Sequence, residues 1–260
     1  LKIIALDMDG TLVNPDGTIA PQSISELQRL ADDGVVIAIA TGRPLQFVLP
    51  TLEENHICPE LGYPQVIITD ERDVHFLDGS EYRPWHSHNA AAYNKEIALL
   101  DLACELTRQL SQDIEQFFFV NNDYMQQSRG YVEMLFRRDA VRDAAISWFE
   151  KELEGKGTLR AVRNRQLVAL RHVDTGKGWA LEKVASHFGA SFKEVLAVGD
   201  SYNDYDMLSR DFKAATTDNA HSGIKQLVRK RDGVVAASGY SLGVAQILQP
   251  LGRQSSPLRP

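Results

Sequence analysis

The chain has 260 residues, 43% of them hydrophobic, which is enough for one large domain or two modest ones, and no apolar run approaches the length of a membrane span. A formal net charge of −7 argues against general nucleic-acid binding, which rests on neutralising phosphates, but leaves room for a small anion held in a local basic pocket. The cysteines are Cys58 and Cys104, with no CxxC pair, a usage that fits a reducing cytoplasm and no zinc site.

In chain order, the run Ile3-Ile4-Ala5-Leu6 reads as a buried parallel strand almost at the start, with no leader-type segment before it. Leu1 is not a start residue, so an initiator Met or a few residues are expected ahead of it. The strand ends in Asp7-Met8-Asp9-Gly10-Thr11. Side chains alternate faces along a strand, so Asp7 and Asp9 are expected to project into one space, where two like charges are costly without a cation or a shared proton. Gly10 permits a sharp turn there. The arrangement suits a carboxylate nucleophile, a neighbouring acid/base and a divalent cation.

A helix is expected over Pro21–Asp33, with Ser23 as a candidate cap and Gly34 as its stop. The next apolar run, Val35–Ala40, ends in Thr41-Gly42-Arg43, and a helix from about Pro44 should turn Phe47, Val48 and Leu52 inward. Gln65–Thr69 reads as a third strand. The pattern changes near Asp78-Gly79-Ser80: a long helix over Asn89–Gln112, strands at Glu115–Asn121 and Tyr131–Arg137, a helix over Asp139–Glu154 capped by Asp139, then a hairpin of Leu159–Val162 and Gln166–His172. This is an α+β insert of αββαββ order, with helices on one face of a sheet. Trp85-His86-Ser87-His88 reads as a solvated linker, and the basic run Lys225–Arg231 as a solvated helix end. Arg160, Arg163, Arg165 and Arg171 crowd one hairpin and suit either an anionic group or a charged, solvated edge.

The α/β alternation resumes near Asp174. Gly178–Gly189 is an expected helix with Trp179, Leu181, Val184 and Phe188 in the core; Glu194–Val198 is a strand ending in Gly199-Asp200-Ser201-Tyr202-Asn203-Asp204; Tyr205–Ser209, Ala214–Thr217 and Gly233–Ala236 complete the pattern. Three buried strands thus end in polar clusters with a glycine, and ligands of open α/β sheets sit outside the carboxyl ends of parallel strands. The domain expectation is a core of residues 1–78 and 173–252, an inserted unit of 79–172, and a disordered Ser/Pro/Arg-rich tail of 253–260.

Four motifs, Asp7-Met8-Asp9-Gly10-Thr11, Thr41-Gly42-Arg43, Lys177 in Thr175-Gly176-Lys177-Gly178, and Gly199–Asp204, occur in the order found in the haloacid dehalogenase superfamily, and the chain resembles its phosphatases over nearly its whole length. The insert resembles the C2-type cap of subclass IIB, the branch of Cof-type sugar-phosphate phosphatases, sucrose-phosphate phosphatase and mannosyl-3-phosphoglycerate phosphatase. The resemblance implies a Rossmann-like core with a C2-type cap and Mg²⁺-dependent hydrolysis of a small phosphate ester such as a sugar phosphate, in the cytoplasm and without nucleic-acid or membrane partners. Asp7 would be the nucleophile and Asp9 the general acid/base. Thr41, Gly42, Lys177 and Asn203 would bind the phosphoryl group, Asn203 touching either it or the nucleophile. Asp7, the Asp9 carbonyl, Asp200 and Asp204 would hold Mg²⁺, Asp204 directly or through water; Asp204 equally suits capping the next helix, and Asp206 reads as exposed or structural. Asn219 and Arg43 take secondary places. Cof-like relatives carry Asn-Gly-Ala after the third strand where this chain has Thr69-Asp70-Glu71-Arg72-Asp73, so their substrate preference does not transfer. A hexose phosphomutase is the rival enzyme reading. A sugar-phosphate sensor would have lost Asp7, Asp9 or Asp200, and dehalogenation has no use for Asp9.

Overall fold

A computed structural model describes residues 1–113, 117–119 and 129–251. It divides into two compact units, Leu1–Trp85 with Lys177–Pro260, and His86–Gly176.

The first unit is built on β1 (Ile3–Asp7), whose five residues are all buried. Apolar residues without alternation make a strand covered on both faces. β1 lies between β2 (Val36–Ala40) and β10 (Val195–Val198) in a sheet ordered β12-β11-β10-β1-β2-β3-β4-β5. Pairings from β12 (Val234–Val235) and β11 (Lys213–Thr216) through to β3 (Val66–Thr69) are parallel, and β4 (Asp73–Asp78) and β5 (Glu81–Pro84) add an antiparallel hairpin. The chain runs outward from β1 through β2 to β3 and returns on the other side of β1 as β10, so the order reverses at β1, where the carboxyl ends leave a crevice.

Ile4 and Leu6 belong to the core over which α1 (Pro21–Asp32), α2 (Leu45–Glu54) and the helix Tyr240–Leu248 pack; Ile3 and Ala5 face the other core, with the helices Lys177–His187, Tyr205–Ser209 and Ser222–Lys230. Four local expectations fail here. Ser23 is inside α1 and buried, its hydroxyl donating to the Ser241 carbonyl, so it fastens two helices rather than capping one. Phe47 is 57% exposed, because Val48 and Leu52, four apart, form the buried stripe of α2. Phe188 lies beyond its helix and is exposed. Arg231 is no solvated end either: it donates to the carbonyls of Ser209, Arg210 and Phe212.

The second unit is a four-stranded antiparallel sheet, β6 (Phe117–Phe119), β7 (Val132–Phe136), β9 (Leu167–His172) and β8 (Leu159–Asn164), in that order. Val132, Met134, Phe136, Val168 and Leu170 pack against Leu106 and Leu110 of α4 (Leu100–Asp113) and Ala145 and Phe149 of α5 (Asp139–Leu153), giving the expected one-sided α+β layer. The long helix is instead two, α3 (His86–Ile97) and α4; at the break Leu99 N–H bonds the Glu96 carbonyl three residues back. Asp139 does not cap α5; its carboxylate accepts from Arg142 and Gln166. Trp85–His88 is no solvated linker: Trp85 lies 5.3 Å from the Phe76 ring and His88 is buried in α3. Arg160 and Arg171 pair across β8 and β9, but Arg171 is buried and donates to Glu96 at 2.5 Å.

The expected boundaries at 79 and 172 are displaced to 86 and 176. Residues 73–84 pair as the β4–β5 hairpin of the core sheet, and Thr175 belongs to the insert, donating to Glu96 at 2.6 Å and accepting from Arg160 at 2.6 Å. The expected tail, 253–260, and parts of the first insert strand lie outside the described residues.

Each apolar cluster closes within one unit. Replacing residues 86–176 by a short Gly/Ser linker is therefore expected to leave a first unit that unfolds cooperatively in urea. A non-cooperative transition would show that its stability depends on the insert.

Candidate active site

Four backbone segments deliver the polar groups. β1 ends at Asp7, and the chain turns at Gly10, where φ is +89°. A Cβ on Gly10 would lie 2.6 Å from Asp200 Oδ2, so the turn needs glycine for its conformation and for the approach of that carboxylate. Gly199 has the same constraint from Asp204, whose carboxylate carbon would meet its Cβ at 2.5 Å. Thr11 is fully buried and donates to Asp200 Oδ1 at 3.0 Å.

Lys177 opens α6 (Lys177–His187) and is fully buried. Its ammonium donates to Asp7 Oδ1 at 2.6 Å and to Asp204 Oδ1 at 2.7 Å. Asp206 holds the start of this helix, accepting from the Gly178 and Trp179 amides at 2.8 and 3.3 Å, which makes it structural. Asp204 Oδ2 accepts from the Asp200 and Ser201 amides, both at 3.0 Å, and so closes its own turn Tyr202–Asp204 while Oδ1 takes the bond from Lys177; it does not cap the next helix, Tyr205–Ser209, to which its side chain makes no cap bond. Asn203 is buried in the same turn.

Carboxylate oxygens of Asp7, Asp200 and Asp204 all lie within 4.8 Å of one another, and all three residues are buried. Three carboxylates against one ammonium leave a charge of minus two, which one divalent cation cancels. The donors are all oxygen and no Cys or His joins them, the set that suits Mg²⁺. Burial and then the charge of Asp204 push Asp7 well above the usual carboxylate range, against the pull of Lys177. Burial and Asp204 likewise push Asp200 up to about 6, against the Thr11 hydrogen bond. Burial alone would lower the lysine; Asp204 and Asp7 outweigh it and hold its proton on.

Thr41 follows β2 and is buried. It does not cap α2; its hydroxyl accepts from the Arg43 amide at 3.1 Å in a local turn. Gly42 lies within that turn. Arg43 reaches back to Asp9, Nε to Oδ2 at 2.7 Å and Nη2 to Oδ1 at 2.5 Å. The segment after β3 is tied to the same loop: Glu71 N–H donates to the Thr41 carbonyl at 2.9 Å and Asp70 N–H to that of Arg43 at 3.3 Å, with Asp70 and Glu71 both at positive φ. Asn219 joins the first motif to the last helix, donating to the Gly10 carbonyl at 2.7 Å and accepting from Tyr240 N–H at 2.6 Å and Thr217 Oγ1 at 2.9 Å.

Sequence reasoning passed over Thr11 as a brace for Asp200, Asp206 as the anchor of the lysine helix, and the Arg43–Asp9 fork. The i, i+2 and i, i+4 spacings within the motifs gave no signal of partners on other strands.

The model of the haloacid dehalogenase-like hydrolases matches residues 4–69 and 86–248. The chain belongs to this family. A 5-amino-6-(5-phospho-D-ribitylamino)uracil phosphatase of Bacillus subtilis (strain 168) is 22% identical over 268 residues, covering 95% of this chain and 96% of that protein. The sucrose-phosphatase of Synechocystis sp. PCC6803, solved with sucrose and phosphate, superposes with a TM-score of 0.70 at 15% identity, covering 96% of this chain and 97% of that one. A sugar phosphatase of subclass IIB superposes with a TM-score of 0.68 at 16% identity, covering 97% and 99%. These likenesses carry the fold, a Rossmann-like core with a subclass IIB-like inserted cap region. As a member of the family with this cluster, the chain is a Mg²⁺-dependent phosphoester hydrolase that works through an aspartate nucleophile on a small phosphate ester. Among the described residues no helix is long and apolar enough to cross a membrane.

The raised carboxylates couple metal binding to protons. Asp200 binds its proton more tightly folded than unfolded, so the metal-free stability falls as pH rises from about 4 to about 6 and stays low above that. Bound Mg²⁺ favours the ionised form and removes this penalty. The rise in Tm that Mg²⁺ gives over EDTA is expected to be larger at about pH 7.5 than at about pH 5; an equal rise at both would contradict the coupling.

Proposed function

We propose that Asp7 is the nucleophile and Asp9 the acid/base of a phosphomonoesterase whose substrate is a sugar phosphate or a related polyhydroxylated ester. The observation that carries the reading is the buried set of Asp7, Asp200 and Asp204 around Lys177, with its net charge of minus two. An Asp7 oxygen attacks phosphorus; the bond to the leaving oxygen breaks, and that oxygen takes a proton from Asp9. A water then attacks the aspartyl-phosphate, giving a proton to Asp9, and the bond between phosphorus and Asp7 breaks to release phosphate. Thr41 Oγ1, the Gly42 amide, Lys177 and Asn203 hold the phosphoryl oxygens. Asp7, the Asp9 carbonyl, Asp200 and Asp204 would hold Mg²⁺, which when bound neutralises phosphoryl charge. With both Asp204 oxygens already accepting hydrogen bonds, its contact through water is the simpler arrangement.

Support for the substrate class comes from relatives named for a phosphorylated ribityl compound and for sucrose phosphate. Residues 86–176 are read as the cap that selects among esters, and the cytoplasm as the compartment, given a cysteine usage without disulfide pairing.

Asp7→Asn is expected to reduce phosphate release to background while Mg²⁺ still raises Tm. Asp9→Asn should slow alkyl phosphates by about 10²–10⁴-fold; with an activated aryl phosphate, whose leaving group needs little acid help, the loss should fall on hydrolysis of the aspartyl-phosphate. Phosphate release from a panel of sugar phosphates, phosphoglycerates and nucleotides checks the class. Retained turnover in Asp7→Asn would remove the nucleophile assignment, and a preference for nucleotides would remove the sugar-phosphate reading.

A further inference from the structure

The carboxylates of the site have different cations. Asp7 and Asp204 share Lys177 in the interior. Asp9 has its own, and the contact is a two-point fork: Arg43 Nε on Oδ2 and Nη2 on Oδ1, at 2.7 and 2.5 Å. The arginine is itself braced. Its Nη1 donates to Thr51 Oγ1 at 3.3 Å, and that hydroxyl donates to the Phe47 carbonyl at 3.2 Å, so α2 fixes the far side of the guanidinium. Its amide and carbonyl are tied to Thr41 and Asp70. The side chains of Arg43 and Asp9 are 36% and 34% exposed. A half-exposed pair adds little to stability, whereas a fork fixes the plane and direction of a carboxylate in a way a single contact does not.

We propose that Arg43 is the positioning residue for Asp9, and that the fork aims this carboxylate at the water that attacks the aspartyl-phosphate. The inference rests on Asp9 being the acid/base. An ionised carboxylate has about four lone-pair sites, so one with a guanidinium bond on each oxygen retains sites that accept from water. The forked geometry therefore suits the second half-reaction as it stands. The water oxygen bonds to phosphorus, its proton passes to Asp9, and the electron pair of the breaking bond returns to Asp7. The first half-reaction makes less use of the fork when the leaving group is activated, because such a group departs without a proton from Asp9. Loss of Arg43 is then felt most where Asp9 acts as a base on water.

The test separates the halves with p-nitrophenyl phosphate and Mg²⁺, since nitrophenolate leaves without acid help. In Arg43→Ala, the rapid-mix burst of nitrophenolate is expected to stay within about threefold of wild type, while steady-state turnover falls by about 10²-fold. Phosphoenzyme, read as one added phosphoryl group by mass spectrometry after acid quench, should accumulate. Arg43→Lys offers one charge without the fork and should recover only part of the turnover. Asp9→Asn is the control. If it accumulates phosphoenzyme and Arg43→Ala does not, the positioning role is overturned. If Asp9→Asn itself fails to accumulate phosphoenzyme, it is the acid/base reading that falls. A slowed burst without phosphoenzyme in Arg43→Ala would place Arg43 on the substrate, and full activity in Arg43→Lys would reduce its role to charge; either result overturns the inference.

Discussion

The buried ammonium of Lys177 is the constraint on which the rest of the site depends. It ties the end of β1 to the turn after β10, between residues 170 positions apart on one side and 27 on the other. Taking these charges out of water costs several kcal/mol per ion, and their attraction repays that only with good geometry. The surrounding details follow from this. Asp206 holds the helix start that carries the lysine, the Asp200 and Ser201 amides fix Asp204, and Gly199 leaves room for that carboxylate. A lysine at a helix start runs against the helix dipole, and here two carboxylates compensate for it. Two positive charges are still missing after all of this, the valence of one divalent ion.

Positioning of the outer groups follows a different rule. Three bonds join the first motif to distant parts of the chain: Thr11 to Asp200, the Gly10 carbonyl to Asn219, and Asp9 to Arg43. The Thr11 bond is buried and the other two are partly exposed, and each fixes the direction of a polar group. The segment Asp70–Asp73 joins the same system through the carbonyls of Thr41 and Arg43, with two successive residues in the left-handed region. Such backbone is tolerated where the surroundings over-determine it. Asp70–Asp73 is also where the chain departs from the Cof pattern.

The parallel sheet and the carboxylate cluster were legible because their signals are local. Apolar runs without alternation announce doubly covered strands, and Asp-x-Asp-Gly-Thr announces crowded charge at a strand end. What stayed hidden depended on tertiary partners. The β4–β5 hairpin was missed because Glu81–Pro84 is polar and carries a proline, the marks of an edge strand rather than of a buried one. The break between α3 and α4 has no glycine or proline at Ala98 or Leu99 to signal it. Phe47 was read as core from its chemistry alone, though the helical period had already assigned the buried face to Val48 and Leu52. Arg43 belonged visibly to a motif, but its partner lies at the end of a neighbouring strand.

The place of β1 in the sheet has a consequence for biosynthesis. Its two neighbours are made at very different times: Ile3 pairs with Val36 on one side and with Val195 on the other. At bacterial or eukaryotic translation speeds, Lys177 follows Asp7 by roughly 10–30 s. During that interval β2 and β3 become available for pairing, while the other edge of β1 stays open and Asp7 is without its ammonium. The insert, whose apolar cluster closes on itself, emerges meanwhile and can fold without waiting. The centre of the sheet thus stays incomplete until β10 is made, and β11 and β12 extend the sheet only after that; until then the growing chain carries an unpaired apolar strand edge.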